Sequence, residues 1–190
     1  MDLKLLAWGL RRRAALPSLW LFTDSHRLPD PVAAAARLPR GRAGIIFRHD
    51  DAPDRTSLGH VLAGICRDRR LILVVAGDPR LAARLGAGVH LRGGRWPAPL
   101  RPKGLVTSSA HGVADLRRAQ RAGAALTFLS PAFRTQSHPG APGLEPLRWS
   151  LAAQRATHRQ AIAALGGIDG RTVHRLPRTC QAVGAIGALG

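Results

Sequence analysis

The segment AALTFLSPAFRTQSHPGAPGLE, residues 124–145, joins a short apolar run to a polar loop. The run Ala125–Leu129 has the composition of a buried β-strand. The loop that follows contains Ser130, Arg134 and Thr135, with further hydroxyl and glycine residues. Hydroxyl and backbone N–H donors beside a guanidinium group are typical of anion-binding sites. The alternative interpretation is a polar surface loop that needs proline and glycine to turn.

Further apolar runs of similar length occur along the chain, with helix-like segments between several of them. The eight runs are Leu19–Thr23, Gly44–Phe47, Leu71–Val75, Val89–Leu91, Leu105–Thr107, Ala125–Leu129, Ala161–Leu165 and Val183–Ile186. The predicted helices are Pro31–Leu38, Thr56–Asp68, Asp78–Leu85, Val113–Ala122 and Leu144–Gln154. Parallel neighbouring strands need crossover connections of this kind. The pattern therefore predicts an α/β fold, a compact (β/α)8 TIM barrel, with an open doubly wound sheet as the alternative.

The predicted barrel spans residues 19–189 of a single domain, residues 1–190. Residues 1–15 are predicted to form an N-terminal helix that closes the bottom of the barrel. The stretch 93–103 contains three prolines, which is too many for a helix. Residues 187–190 are all that follow the last apolar run. We therefore expect the final outer helix of the barrel to be missing.

The composition is strongly basic, with a formal net charge of +18, but the excess is almost entirely arginine spread along the chain. No aromatic residues interleave with these arginines to stack on bases, so nucleic acid is not the expected partner. No apolar run of about 18 residues predicts a membrane span. Cys66 and Cys180 fit no metal-binding spacing, and we expect two buried thiols in a cytoplasmic protein. A homo-oligomer is compatible with this composition.

In barrels of this kind the chemistry lies at the C-terminal ends of the strands. Gly166-Gly167-Ile168 and Ile186-Gly187-Ala188 follow the last two predicted strands, where such barrels often bind phosphate through backbone N–H groups. Arginines are frequent at the strand ends, whereas no two carboxylates form an obvious pair for acid–base or metal chemistry. Three histidines near strand ends, His49, His111 and His138, are candidates for acid–base roles because imidazole titrates near neutrality.

Several motifs occur in one order and spacing that is similar to the thiamine-phosphate synthase and TenI-like (thiazole tautomerase) family. They are LWLFTD (19–24), IIFRHD (45–50), LAARLGAGVHLRGG (81–94), SAH (109–111), SPAFRTQSH (130–138), LGGI (165–168) and IGAL (186–189). Each motif alone would be weak evidence, but together they cover residues 19–189. The resemblance implies a TIM barrel and an enzyme of thiamine biosynthesis.

The synthase of that family joins a pyrimidine diphosphate to a thiazole phosphate, so the resemblance implies these small phosphorylated ligands. It implies that Thr135 and Ser137 hold the thiazole phosphate through hydroxyl groups. The glycine-rich strand ends at Gly166, Gly167, Ile186 and Gly187 would bind the same phosphate, the last three through backbone N–H. It also implies catalytic positions at Arg48, which would bind diphosphate, at Ser109, which would face the pyrimidine or the diphosphate, and at His138, where the family has a lysine.

The sequence departs from the family at the positions that bind Mg²⁺ and diphosphate. Where the family has an Asn-Asp pair this chain has Ala76 and Gly77, and the second metal carboxylate is replaced by Arg95. The family's Gln and Lys beside Arg48 are replaced by Ile46 and Asp50, and the tautomerase histidine by Pro131. Mg²⁺ is therefore not expected as a cofactor. Either arginines replace the metal, with Arg92, Arg95 and Arg134 as candidates, or the protein binds these phosphates without catalysis.

Overall fold

The computed structural model describes residues 1–12, 14–135, 142–156 and 160–190. Eight parallel strands form a closed barrel in sequence order, and the last strand pairs with the first. The strands are β1 (Leu19–Phe22), β2 (Ala43–Phe47), β3 (Ile72–Ala76), β4 (Gly88–Leu91), β5 (Val106–Ala110), β6 (Leu126–Leu129), β7 (Ala161–Leu165) and β8 (Ala182–Ala185). The predicted TIM barrel is confirmed, and each predicted strand lies within a few residues of its observed position.

The side chains of the strands alternate between two apolar layers, as the pleat of a strand requires. The inner layer fills the barrel and includes Trp20, Phe22 and Phe128, whose rings meet edge to face. The outer layer lies between the strands and the helices and includes Leu19 and Phe47. The strands read as continuous apolar runs because both of their faces are buried.

The helices cover the outside of the barrel and begin where the sequence indicates. They are α1 (Leu3–Leu10), α2 (Pro31–Arg37), α3 (Arg55–Arg69), α4 (Pro79–Leu85), α5 (Val113–Arg121) and α6 (Glu145–Ala156). Asp30 caps α2 and Asp78 caps α4, and in both helices proline occupies the first position. Residues 92–105, between β4 and β5, contain no helix, as their prolines predicted. Within the described residues, no helix is both long and apolar enough to cross a membrane.

The prediction that an N-terminal helix closes the bottom of the barrel is wrong. Helix α1 instead runs down the outside of the barrel, from the C-terminal ends of the strands to their N-terminal ends. Its start lies at the top, because the N–H of Asp2 donates to the carbonyl of Ala188, 2.7 Å away and just after β8. Its end lies at the bottom, where Arg42, just before β2, donates to the carbonyl of Leu10 at 2.8 Å.

The position of α1 follows from its apolar residues, which need an apolar surface to cover. Leu5 is fully buried, and a Cβ atom on Gly9 would lie only 2.3 Å from the side chain of Leu19 on β1. The missing Cβ therefore allows the helix to approach the strand closely. Helix α1 occupies the outer face beside β1 that a helix after β8 would otherwise cover. Residues 186–190 form a turn instead.

Candidate active site

The predicted site residues within the described chain all lie at the C-terminal end of the barrel. Arg48 follows β2, Arg92 and Arg95 follow β4, Ser109 lies in β5, Arg134 and Thr135 follow β6, Gly166 and Gly167 follow β7, and Ile186 and Gly187 follow β8. Ser137 and His138 lie outside the described residues. Side chains from strands that are distant in sequence therefore lie together at this end of the barrel, its mouth, as the fold requires.

Arg48 is a half-buried cation at this mouth. Its backbone N–H donates to the hydroxyl of Thr23 at 2.8 Å, which joins the ends of β1 and β2. Among the described residues, its guanidinium group has no hydrogen bond and no carboxylate within 4 Å. Burial lowers the pKa of Arg48, and the nearby charges of Asp24 and Asp50 oppose this effect. The guanidinium is thus left with its donors available to an anion.

Arg92 is held in place by a chain of alternating charges across the mouth. It pairs with Asp50, which also accepts from Arg55 at the start of α3, 3.1 Å away. Arg55 in turn pairs with Asp78 at 3.4 Å and donates to the carbonyl of Ala76 at 2.8 Å. The side chain of Arg92 is still 64% exposed, so it faces the open mouth while Asp50 fixes one of its amino groups.

The guanidinium of Arg92 lies over Gly77, at the end of β3. A Cβ atom on Gly77 would lie 3.6 Å from an amino nitrogen of Arg92. Gly77 has a φ of +68°, which favours glycine, and its N–H donates to the carbonyl of His90 at 3.1 Å. The space beside residue 77 therefore holds a cationic group, and no side chain extends from residue 77 itself.

The loop after β6 lies directly against the loop after β7. The N–H of Ala132 donates to the carbonyl of Leu165 at 2.8 Å, and that of Phe133 to Gly166 at 3.0 Å, which extends the pairing of the two strands. A Cβ atom on Gly167 would lie 2.4 Å from the carbonyl oxygen of Arg134. The structure thus brings the half-buried Thr135 and the two glycines into one region of the mouth.

The end of β8 borders the same region. Gly187 is exposed, and no atom lies within 4 Å of the position that its Cβ would take. In the described part of the chain, no acceptor takes up the backbone N–H of Gly167 or of Gly187. Backbone N–H groups of this kind are the donors that a phosphate needs.

A Gly167→Ala substitution is expected to weaken binding of inorganic phosphate at the mouth by at least about tenfold, since roughly 1.4 kcal/mol corresponds to tenfold. The added Cβ would meet the carbonyl of Arg134, and the φ of +65° disfavours alanine. Calorimetric titration measures the affinity. Gly123→Ala is the matched control, because Gly123 also has a positive φ, +82°, but its Cβ would meet nothing within 4 Å. Equal affinities of the two variants would contradict the prediction.

Comparison with known proteins identifies the family of this chain. A family model described as thiamine monophosphate synthase matches residues 19–188. The chain belongs to this family. It is 32% identical over 168 residues to a thiamine-phosphate synthase of Acidithiobacillus ferrooxidans, an alignment that covers 80% of this chain and 76% of the relative. The resemblance predicted from the motifs is therefore confirmed, and the chain is a member of a transferase family of thiamine biosynthesis.

Solved structures support the fold. The thiamine phosphate pyrophosphorylase of Pyrococcus furiosus matches with a TM-score of 0.73 at 20% identity, covering 90% of this chain and 86% of that chain. The enzyme of the same description from Bacteroides thetaiotaomicron matches with a TM-score of 0.59 at 18% identity, covering 91% and 84%. Both likenesses concern the barrel itself.

The residues present do not fit the Mg²⁺ that the family resemblance implies. Asp24, Asp50 and Asp78, which follow β1, β2 and β3, are each paired with an arginine. Arg27 and neighbouring backbone N–H groups outweigh the effect of burial and lower the pKa of Asp24 to about 2. The described residues contain no group of three or more histidine, cysteine or acidic side chains that could hold a metal ion. Among the described residues, the unpaired oxygen ligands that Mg²⁺ prefers are therefore not grouped at the mouth.

The remaining candidate residues at this end of the barrel are Ser109, Arg95 and Arg134. The Oγ of Ser109 accepts from the N–H of Gly93 at 3.4 Å, and the backbone of Arg95 turns back to that of Arg92. The side chains of Arg95 and Arg134 are exposed, and Arg92 alone of the three candidate arginines lies over Gly77.

The candidate histidines lie in two different environments. His49 is buried, stacks on Phe47 and pairs with Thr23 at 2.9 Å, so the structure does not support an acid–base role in the mouth. Burial also lowers the pKa of His49. His111 is exposed, with Nδ1 3.1 Å from the carbonyl oxygen of Ser130.

Two residues near the site were not singled out from sequence. The sequence does not distinguish Arg55 from the many other arginines of the chain. Only its ion pairs with Asp50 and Asp78 show that it joins these two carboxylates. His90 lies inside the barrel, 2.8 Å from the hydroxyl of Thr107 and against Phe22 and Phe128. His90 lies two residues after Gly88 on β4, and residues two positions apart on a strand face the same side of the sheet. This spacing was the signal in the sequence that His90 faces the inside of the barrel.

Proposed function

We propose that this protein is a divergent thiamine-phosphate synthase that couples a pyrimidine diphosphate to a thiazole phosphate with arginines in place of Mg²⁺. The carbon–oxygen bond to the diphosphate breaks, and both electrons leave on the diphosphate oxygen. The nitrogen of the thiazole ring forms the new bond to that carbon. The observation that carries the proposal is the guanidinium of Arg92 over Gly77, near Arg48, which forms no ion pair with a described residue.

The electrostatics of the mouth suit a leaving diphosphate. The transition state of the coupling places developing negative charge on the departing group, and fixed positive charge stabilises it. Arg48 has no ion pair with a described residue, and Arg92 is pre-oriented by Asp50. A guanidinium presents several N–H donors in a plane and binds phosphate oxygens in pairs.

The chemistry does not require a base, which fits the scarcity of candidate bases at the mouth. The attacking ring nitrogen carries no proton, so the protein has only to orient the two substrates and stabilise charge. The thiazole phosphate would bind at Thr135, Ser137, Gly166, Gly167, Ile186 and Gly187, across the mouth from Arg48 and Arg92. Ser109 lies between the two regions along the barrel and would contact the pyrimidine or its diphosphate.

The test is coupling of the two substrates in buffer with a chelator of divalent cations, compared with buffer containing Mg²⁺. We expect kcat/KM to differ by less than about threefold between the two conditions, because a factor of three is under about 0.7 kcal/mol of transition-state stabilisation. Product is detected as thiamine phosphate. Activity that disappears with chelator and returns with Mg²⁺ would contradict the arginine replacement but leave the synthase activity intact.

The second candidate is a catalytically inactive binding protein for thiamine phosphate or a related small phosphate. The observation in its favour is that Asp50 already offsets part of the charge of Arg92. In the same assay this candidate predicts no turnover in either buffer. Tight binding of thiamine phosphate would be retained, because the backbone donors after β7 and β8 do not depend on the arginines.

A further inference from the structure

Asp2 contacts both loops that would bind the thiazole phosphate. Its Oδ2 accepts from the N–H of Gly170, in the loop after β7, at 2.7 Å. Its own N–H donates to the carbonyl of Ala188, in the turn after β8, at 2.7 Å. Its Oδ1 accepts from the N–H groups of Lys4 and Leu5 and caps α1. One residue therefore joins a helix and two strand ends.

The loop after β7 transmits this contact to Gly167 through a compact set of hydrogen bonds. The hydroxyl of Thr172 donates to the carbonyl of Gly167 at 2.8 Å and accepts from the N–H of Asp169 at 2.9 Å. The carboxylate of Asp169 accepts from the N–H groups of Arg171 and Thr172, both at 2.8 Å. Gly170, which bonds Asp2, is thus part of the same rigid turn as Gly167.

The turn after β8 is fixed in a similar way. Ala188, which accepts from Asp2, adjoins Gly187, and the N–H of Gly190 donates to the carbonyl of Ile186 at 3.0 Å. Leu189 is fully buried, which anchors the turn in the outer apolar layer. The two anchor points of Asp2 therefore lie one and three residues from Gly187 and Gly167.

We propose that Asp2 is a positioning residue for the phosphate site: it holds the loops after β7 and β8 so that the N–H groups of Gly167 and Gly187 face one phosphate. The inference rests on the proposed function, because it requires a phosphorylated ligand at those glycines. The N-terminal helix then contributes to substrate affinity as well as to the packing of the barrel. Affinity depends on such fixed spacing because hydrogen-bond donors that are already ordered lose little entropy on binding.

A purely structural role for Asp2 would need fewer contacts. Asp30 caps α2 by accepting from the N–H of Ala33 at 2.8 Å. Asp2 has the equivalent cap through Oδ1 and adds the bond from Oδ2 to Gly170. The hydrogen bonds to its carboxylate outweigh the effect of its burial and keep the pKa of Asp2 below its ordinary value. The second oxygen is what distinguishes this residue from a simple helix cap.

The test substitutes Asp2→Asn and uses thiamine phosphate as the probe in calorimetric titration. Asparagine keeps one oxygen for the cap of α1 but presents an amide N–H₂ to the N–H of Gly170, so that bond is lost. We expect the Kd to rise about tenfold, the factor that corresponds to about 1.4 kcal/mol. In the coupling assay, KM for the thiazole phosphate is expected to rise by a similar factor while kcat changes less than about twofold.

Two further variants separate positioning from stability. Asp30→Asn is the matched control, because it makes the same change at a cap whose carboxylate, among the described residues, has no hydrogen bond to the loops after β7 and β8. Gly170→Ala disrupts the contact between Asp2 and Gly170 at its other residue, because the new Cβ would lie 2.3 Å from Oδ1 of Asp2. We expect Gly170→Ala to weaken binding of thiamine phosphate as Asp2→Asn does, and the double variant to bind little more weakly than either single one.

Each outcome decides the inference. The positioning role would be overturned if the Asp2→Asn and Asp30→Asn variants bound thiamine phosphate with the same affinity, within about twofold. That result would leave the proposed function standing, because the wild type would still bind and couple. A wild-type protein that binds no thiamine phosphate would overturn the proposed function and this inference together. Equal unfolding free energies for Asp2→Asn and Asp30→Asn, with a weaker Kd only in the first, support the inference.

Discussion

Replacing Arg48 with alanine is expected to lower kcat/KM for the coupling reaction by about 10²- to 10³-fold, the usual loss when one fixed donor to a developing oxyanion is removed. Arg48 is half-buried and, among described residues, has no ion pair to compensate it. Its charge is therefore available to the leaving diphosphate. Steady-state kinetics with both substrates measure the loss, and the inhibition constant of inorganic diphosphate should rise in parallel.

The stability of the Arg48→Ala variant distinguishes a functional role from a structural one. A half-buried cation without an ion pair contributes little to the stability of the fold. We therefore expect the free energy of unfolding to stay within about 1 kcal/mol of the wild-type value or to rise. Arg84→Ala is the matched control, because Arg84 is exposed on α4, away from the mouth. Activity of Arg48→Ala within fivefold of that control would contradict the assignment.

Acidification is expected to destabilise the protein through His90. Burial, with smaller contributions from Arg48 and Arg92, lowers the pKa of His90 to about 3. The unfolded chain has a histidine pKa of about 6.5, so below that pH the unfolded state binds more protons than the folded state. Stability is therefore complete above about pH 6.5 and falls as the pH decreases toward the folded pKa, by up to about 1.4 kcal/mol per pH unit.

Urea unfolding between pH 7.5 and pH 5 measures this dependence. The informative variant is His90→Asn, which keeps a polar atom near the hydroxyl of Thr107 but does not titrate. We expect its stability to vary less steeply with pH, by about 1 kcal/mol per unit. His49, whose pKa burial also lowers, adds to the slope in both proteins. His60→Asn, a change on the exposed face of α3, serves as the control. The same slope in wild type and His90→Asn would contradict the prediction.

The fold was predictable because its signals are local. Each strand is buried on both faces and reads as an apolar run, and Asp30-Pro31 and Asp78-Pro79 mark the starts of α2 and α4. The prolines of residues 97–102 excluded a helix before β5. The parallel order followed from the alternation of strands and helices. Each of these features can be recognised from residues that are close together in the sequence.

The end of the barrel at which the candidate site residues lie was predictable for a related reason. In a parallel barrel, every strand ends at the same mouth, so Gly167, Gly187 and Arg48 must share one end of the molecule. The family motifs added the roles that the resemblance implies for these positions. Their roles stay predictions, and Ser137 and His138 lie outside the described residues.

By itself, the sequence determined the barrel, its order of elements and the end at which its chemistry lies, because periodicity, caps and turn residues act over a few neighbours. Only the tertiary structure decided that α1 lies on the outside of the barrel, that Asp2 joins two loops, and that the guanidinium of Arg92 lies over Gly77. These contacts join residues 10 to 186 positions apart. These residues come into contact only when the barrel closes, so no pattern among neighbouring residues predicts the pairs.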